Sequence, residues 1–316
     1  MLIDILKDNA FIDEPPVLVD VGASGGAPVA WRKLAQYSIY VGFDADTRDT
    51  EFSESQGDGY VKRIVYNRAV IDREDTTVRI RLTKSPHCSS VLPPAIEELK
   101  DYYFQDSFRP VREVDVSATR LEDAVNRLGL KRIDILKLDT QGTDLRIFES
   151  VGNKLASTIL AVEMEPGFID AYSGEDKAWH VLRAMENRGF WLARLDVRYT
   201  VRANADWFAR QAAIVRRFPD LFFGRAPGWC NIVLLATPRD EWSYREWLLA
   251  IFLADFHGHH GYALNLCDLA RQKGLGGAIP AVREQLWRET RWRGFIRSLP
   301  HLPRALLGAV KRAILQ

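Results

Sequence analysis

Four acidic residues stand where apolar, strand-like runs of this chain end. They are Asp20, Asp44, Asp139 and Glu163. In an open α/β sheet the carboxyl ends of the strands form the ligand crevice, so these side chains are expected to converge on one rim. Any one of them could instead cap a helix or face water. Four acidic residues at corresponding strand ends favour a ligand-binding rim.

The first of these acids, Asp20, opens a loop of small residues at 22–26. Glycine tolerates backbone angles that other residues resist, and it lets the chain approach a ligand closely. A dinucleotide fingerprint, G-x-G-x-x-G, would need glycine where Ser24 stands. The spacing therefore disfavours a dinucleotide and favours S-adenosylmethionine, although a tight β-α connection that binds nothing is the simpler alternative.

The second acid, Asp44, follows Asp20 by 24 residues, the length of one β-α-β unit. A carboxylate at this place can bind both hydroxyl groups of a ribose. The sulfonium end of the ligand would then lie near Asp20 and the glycine loop.

Lys137 and Asp139 stand two residues apart in an apolar strand and are expected to share a face or an end of it. A lysine among apolar neighbours needs a partner, so Lys137 could simply pair with an acid. It could instead orient an acceptor or, with a depressed pKa, remove the acceptor's proton while Asp139 positions it. Asp139 with Glu163 could also hold a divalent ion through oxygen ligands.

A polar loop containing His87 and Cys88 precedes an aromatic-rich segment at 102–108. As a lid, this segment could stack on the face of a sugar and exclude water, with His87 as a secondary candidate for the general base. The alternative is that the aromatic side chains are hydrophobic cover for a loop.

Strands and helices alternate along the chain up to Pro238, which predicts an α/β domain with a mostly parallel sheet and helices on both faces. Within it we expect a helix from Pro28 to Tyr37 and another at 178–187. Beyond Pro238 the pattern is helical only. The predicted division is residues 1–238, a ligand-binding α/β domain, and 239–316, a helical extension.

The 316 residues carry a net charge of only +1, and no basic face or amide-nitrogen N-P-P-Y motif points to nucleic acid. Three dispersed cysteines without a C-x-x-C pair predict a reducing, cytoplasmic setting. We find no signal peptide, and no apolar run approaches the roughly 20 residues that span a bilayer. We expect the histidines at 257, 259 and 260 to be exposed or to cap a helix rather than to bind a metal ion.

The segment 283–316 contrasts with the neutral chain, since it holds eight Lys and Arg against two Glu, or +6. Large apolar residues interleave with these bases, as in helices that lie on anionic membranes. Peripheral contact with the inner membrane surface is one interpretation. Packing on the α/β domain, or on a second copy of the chain in a homo-oligomer, is the other.

The string at 134–145, Asp-Ile-Leu-Lys-Leu-Asp-Thr-Gln-Gly-Thr-Asp-Leu, resembles the signature of FkbM-type methyltransferases. Six further pieces match in order between about residues 15 and 237. They are Asp-Val-Gly-Ala-Ser at 20–24, Gly-Phe-Asp-Ala-Asp at 42–46, Asn-Arg-Ala-Val at 67–70, Cys-Ser-Ser-Val-Leu at 88–92, Thr-Arg-Leu-Glu-Asp at 119–123, and Val-Glu-Met-Glu at 162–165.

The resemblance implies a Rossmann-like class I methyltransferase fold with a seven-stranded sheet. It implies transfer of a methyl group from S-adenosylmethionine to a hydroxyl of a sugar, glycan, glycolipid or related polar natural product. Lys137, Asp139 and Glu163 would face the acceptor. The residues that would hold the cofactor are Asp20, Gly22, Ala23, Ser24, Asp44, Ala45 and Asn67.

Two residues depart from the family pattern. Asp44 and Asp144 stand where glutamate is common, and the shorter Asp44 leaves Asp46 as a rival ligand for the ribose. The alternative function is a non-catalytic module that keeps the fold and serves a membrane-associated glycan or lipid synthesis complex. Retention of Lys137 and Asp139 favours catalysis.

Overall fold

The computed structural model describes residues 2–23, 26–45, 52–55 and 59–298, with side chains described at 2–23, 26–45 and 59–294. Ser24 and Asp46 lie outside the described residues. So do residues 299–316, which make up half of the basic C-terminal segment.

The chain divides into two compact units. One contains the sheets and runs from Pro15 to Thr237, and the other combines residues 1–14 with residues 238–316. The sequence-based division had assigned residues 1–14 to the α/β domain. They group with the C-terminal helices because the Leu2 amide donates to Asp255 Oδ2 at 2.9 Å and Tyr244 Oη donates to Asp8 Oδ2 at 3.0 Å.

Eleven strands are present in the described part of the chain. They are β1 (Val17–Val21), β2 (Ile39–Phe43), β3 (Phe52–Ser55), β4 (Lys62–Tyr66), β5 (Ala69–Val70), β6 (Thr77–Thr83), β7 (Pro110–Thr119), β8 (Ile135–Leu138), β9 (Ala161–Met164), β10 (Phe190–Thr200) and β11 (Ala226–Ala236).

Eight of these strands form one sheet in the order β10-β11-β9-β8-β1-β2-β4-β3. The five strands from β9 to β4 run parallel, whereas β11 is antiparallel to both of its neighbours. Seven strands give the mostly parallel sheet of the predicted Rossmann-like methyltransferase fold, and the short β3 adds an antiparallel edge. The central β1 is an unbroken apolar run apart from Asp20 because every one of its residues is buried.

A second sheet has the order β5-β7-β6. Its strands β6 and β7 are antiparallel, and the chain between them carries the predicted polar loop and the aromatic segment. Short 3-10 helices at Pro86–Cys88 and Gln105–Phe108 shape this connection.

Twelve α-helices lie in the described residues. They are α1 (Asn9–Asp13), α2 (Ile96–Leu99), α3 (Leu121–Arg127), α4 (Asp144–Glu149), α5 (Asn153–Ala156), α6 (Ala178–Asn187), α7 (Ala205–Ala209), α8 (Ala213–Arg217), α9 (Pro219–Phe222), α10 (Tyr244–Phe256), α11 (His260–Gln272) and α12 (Ile279–Ser298).

The helix predicted at 178–187 is present as α6, but the one predicted from Pro28 to Tyr37 is absent. Two 3-10 helices, Val29–Lys33 and Ala35–Tyr37, stand there. A 3-10 helix aligns residues three apart. This alignment places Trp31 and Leu34, which are three residues apart, on the same side, and both are buried.

In the second unit α10 packs against α11 and against a 3-10 helix at Ile3–Lys7, and α11 packs against α12. Ser243 begins α10 with a capping box, in which its side chain and that of Glu246 satisfy each other's backbone amides. The described helices include none that is long and apolar enough to cross a membrane.

Candidate active site

A cavity of about 690 Å³ opens at the carboxyl ends of the central strands β1, β2 and β8. Ligand pockets commonly occupy roughly 300–1,000 Å³, so a molecule of nucleotide size fits here. The strand ends supply the following lining residues: Val21, Gly22, Phe43, Asp44, Ala45, Asp139 and Thr140.

Gly22 is required by the geometry of this cavity. Its φ is +86°, and a Cβ atom at this position would stand 2.2 Å from the Asp139 carbonyl oxygen. The amides of Gly22 and Ala23 both donate to the Phe43 carbonyl, at 3.1 and 2.9 Å. The backbone after β1 is therefore pressed against the ends of β2 and β8, which leaves a cradle that only glycine permits.

The other predicted cofactor residues fall into two groups. Asp44 and Ala45 line the cavity with Gly22, and the Asp44 amide donates to the Tyr66 carbonyl at 3.2 Å. Ala23 and the buried Asn67 are not among the lining residues. Arg68, two residues after the end of β4, lines the cavity, whereas the predicted Asn67 does not.

Asp20 and Glu163 do not line the cavity either, because they belong to a deeper row of the sheet. The strand register aligns Gly42, Asp20, Lys137 and Glu163 side by side across β2, β1, β8 and β9. One pleat further along these strands come the rim residues. They are Asp44, Gly22, Asp139 and Glu165, and all four line the cavity.

The deep row is held together by its own polar contacts. Lys137 Nζ donates to Asp20 Oδ1 at 3.0 Å, and Tyr40 Oη donates to Asp20 Oδ2 at 3.1 Å. Trp31 Nε1 donates to Glu163 Oε1 at 3.1 Å. The carboxylate of Asp20 is thus satisfied within the protein, as a buried charge must be.

Lys137 is positioned as an ion-pair partner. Burial lowers the pKa of Lys137, but Asp20 and Asp139 more than offset this effect, so that the pKa is raised overall. A lysine that removes a proton would need the opposite shift, so the structure disfavours that role. Lys137 Nζ also lies 3.6 Å from Asp139 Oδ2 and links the deep row to the rim.

Asp139 begins a strained turn whose side chains are tied across the cavity. Gln141 has a φ of +56°, which residues other than glycine rarely adopt. Its Nε2 donates to Asp139 Oδ1 at 2.8 Å, and Tyr172 Oη donates to Gln141 Oε1 at 3.0 Å. Such strain persists where the surroundings fix it, and here it orients the Asp139 carboxylate.

Glu165 is the site residue that the sequence analysis missed. It lines the cavity directly after β9 and shares a hydrogen bond with Asp139. Burial, the Asp139 charge and this hydrogen bond raise the pKa of Glu165 to about 7. A carboxyl group that titrates near neutrality in a cavity has the property of a general acid or base.

Asp144 stabilises this rim from behind. It is completely buried and accepts hydrogen bonds from the Thr140 amide, the Thr140 hydroxyl and the Glu165 amide, at 2.9, 2.6 and 3.0 Å. The turn after β8 is thereby fastened to the end of β9. Burial raises the pKa of Asp144 to about 6.

We expect Asp144→Ala to lower the free energy of unfolding by about 3 kcal/mol, because it leaves two partly buried amides without their acceptor and opens a cavity at a buried side chain. Asp123→Ala is the matched control, since Asp123 also lies in the first turn of a helix but is half exposed.

The stabilising effect of Asp144 also depends on pH. The pKa of Asp144 in the folded protein lies above the ordinary 3.8, so its contribution to stability falls as the pH rises through about 6. Urea unfolding at several pH values measures both effects, and equal losses in the two variants would contradict this role.

The connection between β6 and β7 forms the opposite wall of the cavity. His87 and Cys88 line it, and so do Phe104 and Phe108 of the aromatic segment. The Phe108 ring lies 5.5 Å from the Tyr172 ring, and both are buried in one hydrophobic cluster with Leu99. The aromatic segment is thus packed as hydrophobic cover and also faces the cavity.

The described residues contain no group of three or more His, Cys, Asp or Glu side chains that could hold a metal ion. Glu163 points its carboxylate at Trp31 in the deep row, while Asp139 lies on the rim. Of the histidines at 257, 259 and 260, His260 bonds through Nδ1 to Asp255 Oδ1 at 2.7 Å.

A family profile described as "Methyltransferase FkbM domain" matches residues 30–192, just over half of the chain. A search of curated proteins and a search of solved structures each returned no match. The matched range contains the rim residues of β2, β8 and β9 together with the opposite wall. The chain therefore belongs to the FkbM methyltransferase family and is an enzyme that uses S-adenosylmethionine as its methyl donor.

Proposed function

We propose that this methyltransferase methylates a hydroxyl group of a sugar, a glycan, a glycolipid or a related polar natural product. The proposal rests above all on the carboxyl pair of Glu165 and Asp139, which shares a cavity with Gly22 and Asp44. A hydroxyl acceptor must lose a proton during transfer, and Glu165 titrates in the range where it can take that proton.

The cofactor would be held by the cradle at Gly22 and by Asp44, whose carboxylate suits the ribose hydroxyls. When bound, S-adenosylmethionine supplies a methyl group that its positively charged sulfur has already activated. The protein's task is therefore to hold the acceptor oxygen in line and to receive its proton.

Glu165 in its ionised form performs the second task. As the acceptor O–H bond breaks, the proton passes to the Glu165 carboxylate, which becomes a carboxylic acid that donates to Asp139. Gln141 and Lys137 hold Asp139 in place at 2.8 and 3.6 Å. With a pKa of about 7, roughly half of Glu165 is ionised near neutral pH.

The opposite wall supports a polar acceptor with apolar faces. Phe104 and Phe108 of this wall line the cavity together with Trp229 of β11, with ring centroids 5.8 Å (Phe104 to Phe108) and 6.5 Å (Phe104 to Trp229) apart. Serine residues at 85, 89, 90 and 107 line the same wall. Aromatic rings with interspersed hydroxyls suit a sugar ring, whose faces are apolar and whose edge is polar.

Three cysteines that form no disulfide are consistent with a reducing, cytoplasmic setting for the reaction.

The proposal is tested by incubating the protein with S-adenosylmethionine that carries a deuterated methyl group and with glycan and glycolipid fractions of its host cells. We expect a labelled methyl group on a sugar oxygen, detected by mass spectrometry of the released sugars. A methyl ether survives mild alkali, whereas a methyl ester is hydrolysed. Label found only on nitrogen or on alkali-labile esters would refute a hydroxyl acceptor. No label with any of these fractions would refute an acceptor of these classes.

A further inference from the structure

The chain between β10 and β11, residues 201–225, exposes an unusual amount of apolar surface. Together with the adjoining ends of the two strands, it forms the stretch 194–229. This stretch contributes eight of the sixteen exposed large apolar side chains of the described residues. Leu221 and Phe222 are 78 % and 50 % exposed. The other six are Leu195, Tyr199, Trp207, Ile214, Phe218 and Trp229. Isolated exposed apolar residues are ordinary, but such a concentration marks an interaction surface.

The same stretch is strongly basic. Residues 194–229 contain seven arginines and three aspartates, or +4, whereas the whole chain carries +1. Arg217 lies over the Phe218 ring at 5.5 Å, and Arg225 lies over the Tyr199 ring at 5.3 Å. Basic groups are therefore interleaved with the exposed apolar ones.

One side of this connection is anchored to the protein. Phe208 is buried with its ring 4.8 Å from that of Tyr103, and Trp207 stacks edge-on against Phe223 at 5.7 Å. Asn204 begins α7 by accepting from the amides of residues 206 and 207. The short helices α8 and α9 that follow are exposed almost throughout.

The anchored side adjoins the wall of the active-site cavity. The Tyr103 ring lies 5.6 Å from Phe104, and Phe104 lies 6.5 Å from Trp229. Phe104 and Trp229 both line the cavity, and Trp229 is also exposed. The exposed apolar and basic surface thus begins where the cavity wall ends.

We propose that residues 201–225 dock the enzyme on an anionic lipid bilayer. Tryptophan, phenylalanine and leucine side chains partition into the boundary between headgroups and acyl chains, and arginines bind the anionic headgroups. A bilayer accepts apolar side chains that project singly from short helices, because it needs no matched shape. Docking here brings the cavity mouth to the membrane surface, where a lipid-linked acceptor would be presented. The docking itself is independent of which acceptor is methylated.

The full-length protein should sediment with vesicles that contain phosphatidylglycerol and only weakly with vesicles of pure phosphatidylcholine. The double variant Leu221→Ser/Phe222→Ser should reduce binding to the anionic vesicles by about tenfold or more, since two inserting side chains are lost. Arg216→Gln/Arg217→Gln should reduce it by about tenfold on anionic vesicles only. Both variants change exposed residues, so we expect them to fold and to bind S-adenosylmethionine as the unaltered protein does.

Trp179→Ser is the matched control, because Trp179 is an exposed aromatic residue (53 %) on α6, outside this surface. Its vesicle binding should be unchanged. If the serine double variant still binds anionic vesicles as strongly as the unaltered protein, another segment such as 283–316 carries the binding and the proposal is wrong. The proposal is equally wrong if the full-length protein binds no vesicles, or if light scattering shows that the double variant abolishes a dimer instead.

Discussion

Glu165→Gln is expected to lower kcat by about two to four orders of magnitude while leaving the affinity for S-adenosylmethionine almost unchanged. Glutamine has the same shape and can still donate a hydrogen bond to Asp139, so the rim should keep its structure. Its neutral amide cannot take the proton from the hydroxyl group that is methylated. Single-turnover measurements of methyl transfer, together with calorimetric titration of the cofactor, separate these two effects.

The pH profile gives this prediction a second readout. Because Glu165 must lose its proton before it can act as a base, kcat/KM of the unaltered enzyme should rise with pH through about 7. Asp139→Asn removes the negative charge that helps to raise the pKa of Glu165, so this limb should shift to lower pH. A structural role for Glu165 would not produce such a shift.

His87→Gln is the comparison that distinguishes the two candidate bases. His87 lines the cavity from the exposed 3-10 helix at Pro86–Cys88, whereas Glu165 lies on the rim with Asp139. We expect His87→Gln to retain activity within about tenfold. If it loses activity as strongly as we expect of Glu165→Gln, and Glu165→Gln does not, the proton acceptor is His87.

The sequence predicts which strands form the rim, but it does not predict how deep each acid lies. Apolar runs identify β1, β2 and β8 because these central strands are buried on both faces. Depth depends on where each strand ends relative to its neighbours. β9 ends at Met164, so Glu165 reaches the rim while Glu163 stays one pleat below it.

The partner of Lys137 is likewise a matter of register. The sequence shows a lysine in an apolar strand and four acids that could pair with it. Only the pairing of β1 with β8 sets Lys137 opposite Asp20, and only the pairing of β8 with β9 sets it opposite Glu163. Burial lowers the pKa of Lys137, but its contacts with Asp20 and Asp139 raise the pKa overall, whereas a base requires a depressed pKa.

The connection at 201–225 gave no sequence signal because its helices are too short to show a period. α7, α8 and α9 have five, five and four residues. Helical periodicity becomes recognisable over windows of about 11–18 residues. The strands β10 and β11 that flank this connection pair with each other as far as Thr200 and Ala226, so each satisfies the other's backbone groups beyond the part of the sheet that β9 reaches.

Gly22→Ala is expected to weaken S-adenosylmethionine binding by about tenfold to a hundredfold. The added methyl group would overlap the Asp139 carbonyl oxygen at 2.2 Å, which is backbone and cannot turn aside, so the ends of β1 and β8 must separate. Gly129→Ala is the matched control, because Gly129 has a similar φ of +68° but nothing within 4 Å of a Cβ atom. Both substitutions should cost about 1–2 kcal/mol of folding stability for the left-handed backbone. Only Gly22→Ala should weaken cofactor binding in calorimetric titration, and equal affinity in the two variants would show that the cradle at Gly22 does not contact the cofactor.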